Sequence, residues 1–273
     1  MTSMTSRLTP DALHILRERR DRLTPARRWA LRGASVAVPL VAWEAYGRSL
    51  NPILLSRPTA VLAAGLAMLA DGTLVPALGA SLVVLALGLI GGAVVGVGLG
   101  LLAGRRPAVA AVLELPVNAL YATPTVALIP LIVLWFGFDV MAKVVVVFLF
   151  VVFPVLINTQ RGVREVDPEL VEVATTFCSS ERRMWIDLFL PSALPYIVTG
   201  IRLAIGRALI GVIVAEYYTA LTGLGNQIAT SASSFQTARM FVPITIITLL
   251  GVVLTAVLEW IEHRLARWRK VAS

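Results

Sequence analysis

The chain has 273 residues, 58% of them hydrophobic and only 15% charged, with a mean hydropathy of +0.83. Soluble domains carry about 25% charged residues, so this composition excludes an ordinary soluble enzyme, and the long apolar runs exclude disorder for most of the chain. The formal charge of +8 would suggest nucleic acid in a soluble protein, whereas in a membrane protein it reports basic cytoplasmic loops.

At roughly 20 residues per crossing, the apolar runs predict an all-α polytopic fold with about six transmembrane helices. Residues 1–28 form a basic segment with Arg17, Arg19, Arg20, Arg22, Arg27 and Arg28. A lipid-binding arm and a signal-peptide n-region are both open on charge; the absence of a small-residue cleavage site favours an uncleaved first span. That span lies at about 29–47, between Arg32 and Glu44, and Pro58 to Ala70 reads as a short outer helix. The longest uncharged run, Gly72 to Gly104, gives a second span at about 77–104, closed by Arg105-Arg106-Pro107. Along it Gly88, Gly92, Gly96, Gly100 and Gly104 recur every four residues, a flat stripe for close helix approach. Packing within one subunit, a contact between two copies and a sliding surface during gating all fit such a stripe.

The third span, about 112–136, contains Pro116, Pro124 and Pro130, which remove backbone donors and predict a kinked or broken helix. A fourth span at about 141–159 is apolar all round. The fifth, about 194–220, is apolar except for Arg202, Arg207 and Glu216, which are functional candidates because ionisable groups are costly within a bilayer. Arg207 and Glu216 lie about 180° apart on a straight helix, so at most one lines a translocation path. For an anion Arg207 is the electrostatic choice; pairing of these groups with Glu44 or Glu114 is the structural alternative. Thr222 to Thr237 is too polar for a crossing and reads as a short re-entrant or interfacial helix or as a plain loop. The sixth span, about 240–260, ends at Trp260 and leaves a basic tail at 262–273.

With both termini cytoplasmic, the inner segments hold 18 basic residues and the outer loops 4, a strong positive-inside bias. It leaves little surplus charge for nucleic acid. The single cysteine, Cys178, and the two histidines, His14 and His263, offer neither a disulfide nor a metal site nor a catalytic cluster. No G-x-x-x-x-G-K-[ST] loop is present, so the chain does not hydrolyse nucleotide itself.

The loop at 161–193 is the most polar internal segment. Asp167 suits a helix N-cap, Pro168 the first turn and Glu169 the positive end of the dipole. Leu170, Ala174 and Phe177 fall at i, i+4 and i+7 as a short apolar stripe, and Glu181 to Leu190 forms a second helical piece before Pro191. Such a pair lies on the membrane or docks into a partner's groove.

Glu172-Val173-Ala174, three residues, Cys178, nine residues, Leu188, Phe189 and Leu190-Pro191 resemble the EAA loop of importer permeases in the ATP-binding-cassette (ABC) superfamily. Val173 replaces an Ala of that pattern, and Cys178 replaces the Gly that allows a tight bend. The resemblance runs from about Pro52 to Trp260. Pro124 to Pro130 with Leu134-Trp-Phe-Gly137, Phe153-Pro154 with Asn158-Thr159, and Ala215-Glu216 with Gly223-Leu-Gly225 are similar to the subfamily for nitrate, sulfonate, taurine and bicarbonate. Similar permeases serve vitamin precursors.

The resemblance implies a multi-pass permease of the bacterial inner membrane that acts as a homodimer, contacts membrane lipid and works with two ATPase subunits and a substrate-binding protein. ATP and Mg would sit on the ATPase, with no cofactor on this chain. Glu172 would meet a basic or polar ATPase group, Ala174 would permit close packing, Cys178 would occupy the bend, and Leu188, Leu190 and Pro191 would join the loop to the fifth span. A secondary transporter or channel would instead show inverted repeats and a coupling-ion site, and no convincing repeat is visible.

Overall fold

A computed structural model describes residues 25–219 and 221–265, and among them every regular element is helical. The segment up to residue 24, with His14, the tail beyond Leu265 and the side chain of His263 lie outside that description.

The chain divides into two compact units at Thr59 and Ala60. In the first, α1 (Pro25–Ser49) has the length of a span but carries Arg27, Arg28, Arg32, Glu44 and Arg48. It is therefore not among the helices apolar enough to cross a bilayer by composition, unlike the expected first span. Its C-terminal end is tied down locally: Glu44 accepts hydrogen bonds from Arg48 Nε (2.9 Å), Thr59 N (3.1 Å) and Thr59 Oγ1 (3.0 Å), and Trp43 Nε1 donates to the Ser56 carbonyl (2.8 Å).

Beyond α2 (Pro58–Ala70), the second unit holds α3 (Leu74–Arg105), α4 (Pro107–Ala122), a 3₁₀ turn at Thr125–Leu128, α5 (Ile129–Phe136), α6 (Val140–Arg164) and α7 (Pro168–Thr176). It continues with α8 (Glu181–Thr219), α9 (Leu224–Ser233) and α10 (Thr237–Leu265). Four of these, α3, α6, α8 and α10, are long and apolar enough to span, and α4 with the 3₁₀ turn and α5 makes a fifth if the bent pair is one crossing. Asp71, in the turn before α3, accepts from Thr73 Oγ1 (2.6 Å) and Thr73 N (3.1 Å), which hold its carboxyl below its usual range, with Arg239 (2.9 Å) adding to the effect.

The centre is α6, packed most extensively against α3 and α8. Each glycine of the stripe meets a β-branched residue of α6: Gly88 faces Val147, Gly92 Val151, Gly96 Val155, Gly100 Thr159 and Gly104 Val163. A Cβ at Gly96 would stand 2.8 Å from the Val152 carbonyl oxygen, so backbone and knob already fill the space a side chain would need. The close approach that the spacing of the glycines offers is thus used within one chain.

Both numbers of each pair rise together, so α3 and α6 run parallel. Parallel neighbours cannot be joined by a short connection. From Val163 back to Val140 is about 35 Å of helix at 1.5 Å per residue, more than the roughly 30 Å apolar core of a bilayer. Residues 107–139 must therefore carry the chain back across, and the α4–α5 pair is one broken crossing rather than a loop returning to the same side. The break is a bend of 89° beside Pro124, the second of the three prolines. By the same reading α8 is antiparallel to α6, since Gly162 meets Tyr196, Gly200 meets Asn158 and Gly211 meets Phe150.

One boundary differs from expectation. The fifth span does not start afresh near 194; α8 is continuous from Glu181 through Pro191 and Pro195. A π turn at Met184–Phe189 makes this feasible, because the Leu190 N–H bonds the Trp185 carbonyl five residues back and the ladder is already shifted where Pro191 lacks a donor.

Candidate functional site

At the end of the bundle where α3 and α6 finish, residues 161–193 form a small module. Asp167 caps α7 by accepting from Glu169 N (2.9 Å), and Ser180 Oγ accepts from Arg183 N (3.4 Å) at the start of α8. Between them the chain turns through Cys178, which takes φ of +52°, the left-handed region that favours glycine. The Ser179 N–H bonds the Ala174 carbonyl (3.0 Å) and the Cys178 N–H bonds the Thr175 carbonyl (2.9 Å), the two bonds of a Schellman helix end. Cys178 thus occupies the one backbone position of the bend where a glycine would cost least.

The module rests on a core of Val163, Val166, Met184, Phe189, Ala193 and Ile197, against which Val171, Ala174 and Leu188 pack. Arg105, at the end of α3, stacks over Phe189 (4.8 Å) and pairs with Glu181 (3.1 Å), fastening the module to a second helix. The expected stripe of Leu170, Ala174 and Phe177 is split. Ala174 turns inward with Val171, while Leu170 (52% exposed), Val173 (52%) and Phe177 (81%) stand outward beside exposed Glu172. Residues at i, i+3 and i+7 lie on one helix face, and i+4 here points to the core. Leu190 is exposed and Pro191 half-buried; with Ile186, Asp187 and Leu194 they line an open groove of about 490 Å³.

A second polar cluster lies at the opposite end of α8. Glu216 is fully buried, and its carboxylate accepts from Ser81 Oγ of α3 (2.7 and 2.9 Å) and from Gly225 N (2.8 Å). The Ser81 hydroxyl oxygen in turn accepts from Leu224 N (2.9 Å), so the first amides of α9 point at this carboxylate-serine pair. Lys143 of α6 is 2% exposed, donates to Thr222 Oγ1 (3.1 Å) and attracts Glu216. Gly223 has φ of +107°, and a Cβ there would collide with the Glu216 carboxylate. Glu216 is consequently sealed from any open path, and Thr222 to Thr237 is a turn followed by a helix whose start, Leu224 and Gly225, is buried. Lys143 lies inside α6, in its first turn.

The two arginines between Leu190 and Thr219 part company. Arg202 pairs with Glu262 of α10 (2.7 Å). Arg207 donates to the Tyr121 hydroxyl (2.8 Å) and lies over its ring (4.9 Å), not beside Glu114. Ser81, Lys143, Tyr121 and the Arg105–Phe189 contact were not singled out on sequence. Two carried a signal: Ser81 is the only hydroxyl between Leu74 and Gly104, and Lys143 is the only cation between Arg106 and Arg161.

Residues 96–269 match the family described as "Binding-protein-dependent transport system inner membrane component". The protein that carries the name aliphatic sulfonates transport permease protein SsuC in Bacillus subtilis (strain 168) is 33% identical over 235 residues, 85% of each chain. The formylaminopyrimidine transport permease protein ThiX of Halalkalibacterium halodurans is 32% identical over 232 residues, covering 85% of this chain and 92% of that one. The taurine transport system permease protein TauC of Escherichia coli (strain K12) is 29% identical over 242 residues, 86% and 88% of the two chains. Among solved structures, an amino acid ABC transporter crystallised with histidines shares the fold at a TM-score of 0.56 and 20% identity, over 75% of this chain and 97% of that one. A multi-pass helical bundle, an EAA-type loop held in place at one end of it and matches over most of the chain lead to one conclusion: this protein belongs to the binding-protein-dependent inner-membrane permeases of ABC importers.

Proposed function

We propose that this permease imports a small sulfonate-class anion such as a taurine-like solute, that two copies pair to form the path, and that α7 of each copy seats in a cleft of an ATPase subunit that binds ATP and Mg. One observation carries the coupling role: α7 is fixed at both ends yet turns Leu170, Val173 and Phe177 outward beside Glu172. An exposed apolar face on a rigid short helix is the form in which a helix fills a partner's groove. Arg105, Arg106, Arg161, Arg164, Arg182 and Arg183 gather at the same end of the bundle; by the positive-inside rule that end is cytoplasmic, with both termini. The α9 end then faces outward, toward a substrate-binding protein. Similarity to the SsuC and TauC proteins supports the solute class.

Replacing Glu172 with Lys tests the coupling. The expected outcome is loss of ATPase co-purification or at least a tenfold fall in uptake, with thermal stability unchanged because the residue is exposed and its side chain bonds no described residue. Survival of both co-purification and uptake would overturn it. The solute class is tested by the ligand retained on the cognate binding protein. A formylaminopyrimidine there would favour the vitamin-precursor reading that the ThiX relative supports.

A further inference from the structure

We infer that Arg207, steadied by Tyr121, is the point inside the membrane where the anionic group of the solute is held, an inference that rests on the anion-import reading above. Counted along α8, Arg207 stands about 18 Å of helix from Thr219 and about 25 Å from Leu190, farther from either end than an arginine side chain reaches. Arg202, nearer the basic end, is neutralised by Glu262, but no carboxylate among the described residues pairs with Arg207. Its guanidinium uses one donor on the Tyr121 hydroxyl and keeps the rest of a planar fork that fits two oxygens of a sulfonate or carboxylate.

The charge of Arg207 argues against a lipid-facing role. Arg207 is exposed, and on the same face of α8 Leu203 (53% exposed) and Ile210 (52%) are uncovered, with open space around Gly206. An unpaired cation at mid-span faces a water-filled cavity or a bundle interior, not hydrocarbon. Independently, Tyr121 lies on the last turn of α4 beside the 89° break, where Tyr121 (41%) and Val126 (40%) are also exposed. Irregular backbone at membrane depth is stable only where protein covers it or water reaches it. None of the described residues covers it, so the broken helix and the arginine without a carboxylate partner mark the same wet surface.

The experiment reconstitutes the permease with its ATPase and binding protein in vesicles and measures uptake of taurine or an alkanesulfonate, with hydrolysis stimulated by the loaded binding protein. Arg207→Gln is expected to lower uptake at least tenfold while stimulated hydrolysis and co-purification persist, and Arg207→Lys to restore part of the uptake. Tyr121→Phe is expected to raise KM several-fold without changing the maximal rate. In a Cys178→Gly background, Gly206→Cys should react with a charged, water-soluble thiol reagent and be protected by the solute. Unchanged uptake in Arg207→Gln, or labelling of Gly206→Cys only by a lipid-soluble reagent, overturns the site while leaving import intact. A wild-type assembly that moves no anion overturns the import reading and the site together.

Discussion

Glu172 and Glu216 are the same residue type in the two most family-like stretches of the chain, and the fold treats them in opposite ways. Glu172 is exposed and its side chain bonds no described residue, whereas Glu216 is fully buried with three hydrogen bonds and a nearby lysine. A carboxylate left open on a rigid helix is free for a partner. One that joins the starts of α3 and α9 to α8 is committed to holding those helices together. The buried carboxylate and the open one thus sit toward opposite ends of α8, and substitutions at the two should differ sharply in their effect on stability.

The largest effect is expected at the buried site. Glu216→Ala leaves Ser81 and the Gly225 N–H without their acceptor, a loss of about 1–3 kcal/mol for each buried group left unpaired. Thermal unfolding in detergent measures it, and a melting temperature within a degree of wild type would break the contrast with Glu172. Gly96→Leu comes next. Its Cβ must move the Val152 carbonyl and Val155, which costs about 1–3 kcal/mol and should loosen α3 from α6; unchanged stability and uptake would mean that the helices slide apart at no cost. The smallest change has the opposite sign. Cys178→Gly removes a side chain from a left-handed position and should stabilise the α7 bend by about 1 kcal/mol, visible as slower amide exchange at Cys178 and Ser179 with ATPase binding retained. Faster exchange there would show that the cysteine side chain itself supports the bend.

Much of the coupling loop was legible in the sequence because its determinants are local. Asp167 and Pro168 set the helix start, and the resemblance to the EAA pattern, with Cys178 in place of its Gly, marked the bend. The face that α7 presents was not legible, since Leu170, Val173 and Ala174 are all apolar and only the core beneath, with Met184 and Phe189 from beyond the bend, decides which turn inward. α1 has an uncharged centre from Gly33 to Trp43, but Arg27, Arg28, Arg32, Glu44 and Arg48 gather at its two ends, so by composition alone it falls short of the other long helices.

The sequence by itself determined that this is a helical membrane protein with a basic end, a broken third crossing and an EAA-type loop, because hydropathy, proline placement and capping act through neighbours in the chain. Tertiary structure decided the rest. The glycine stripe acquires a partner only from the matching β-branched row on α6, and that register makes α3 and α6 parallel and the α4–α5 pair a crossing. Of the three charged residues between Leu190 and Thr219 of α8, Glu216 is enclosed by Ser81 and Gly225, Arg202 is neutralised by Glu262, and Arg207 alone is left open. No local rule separates them, since the distinction lies in which helix stands opposite.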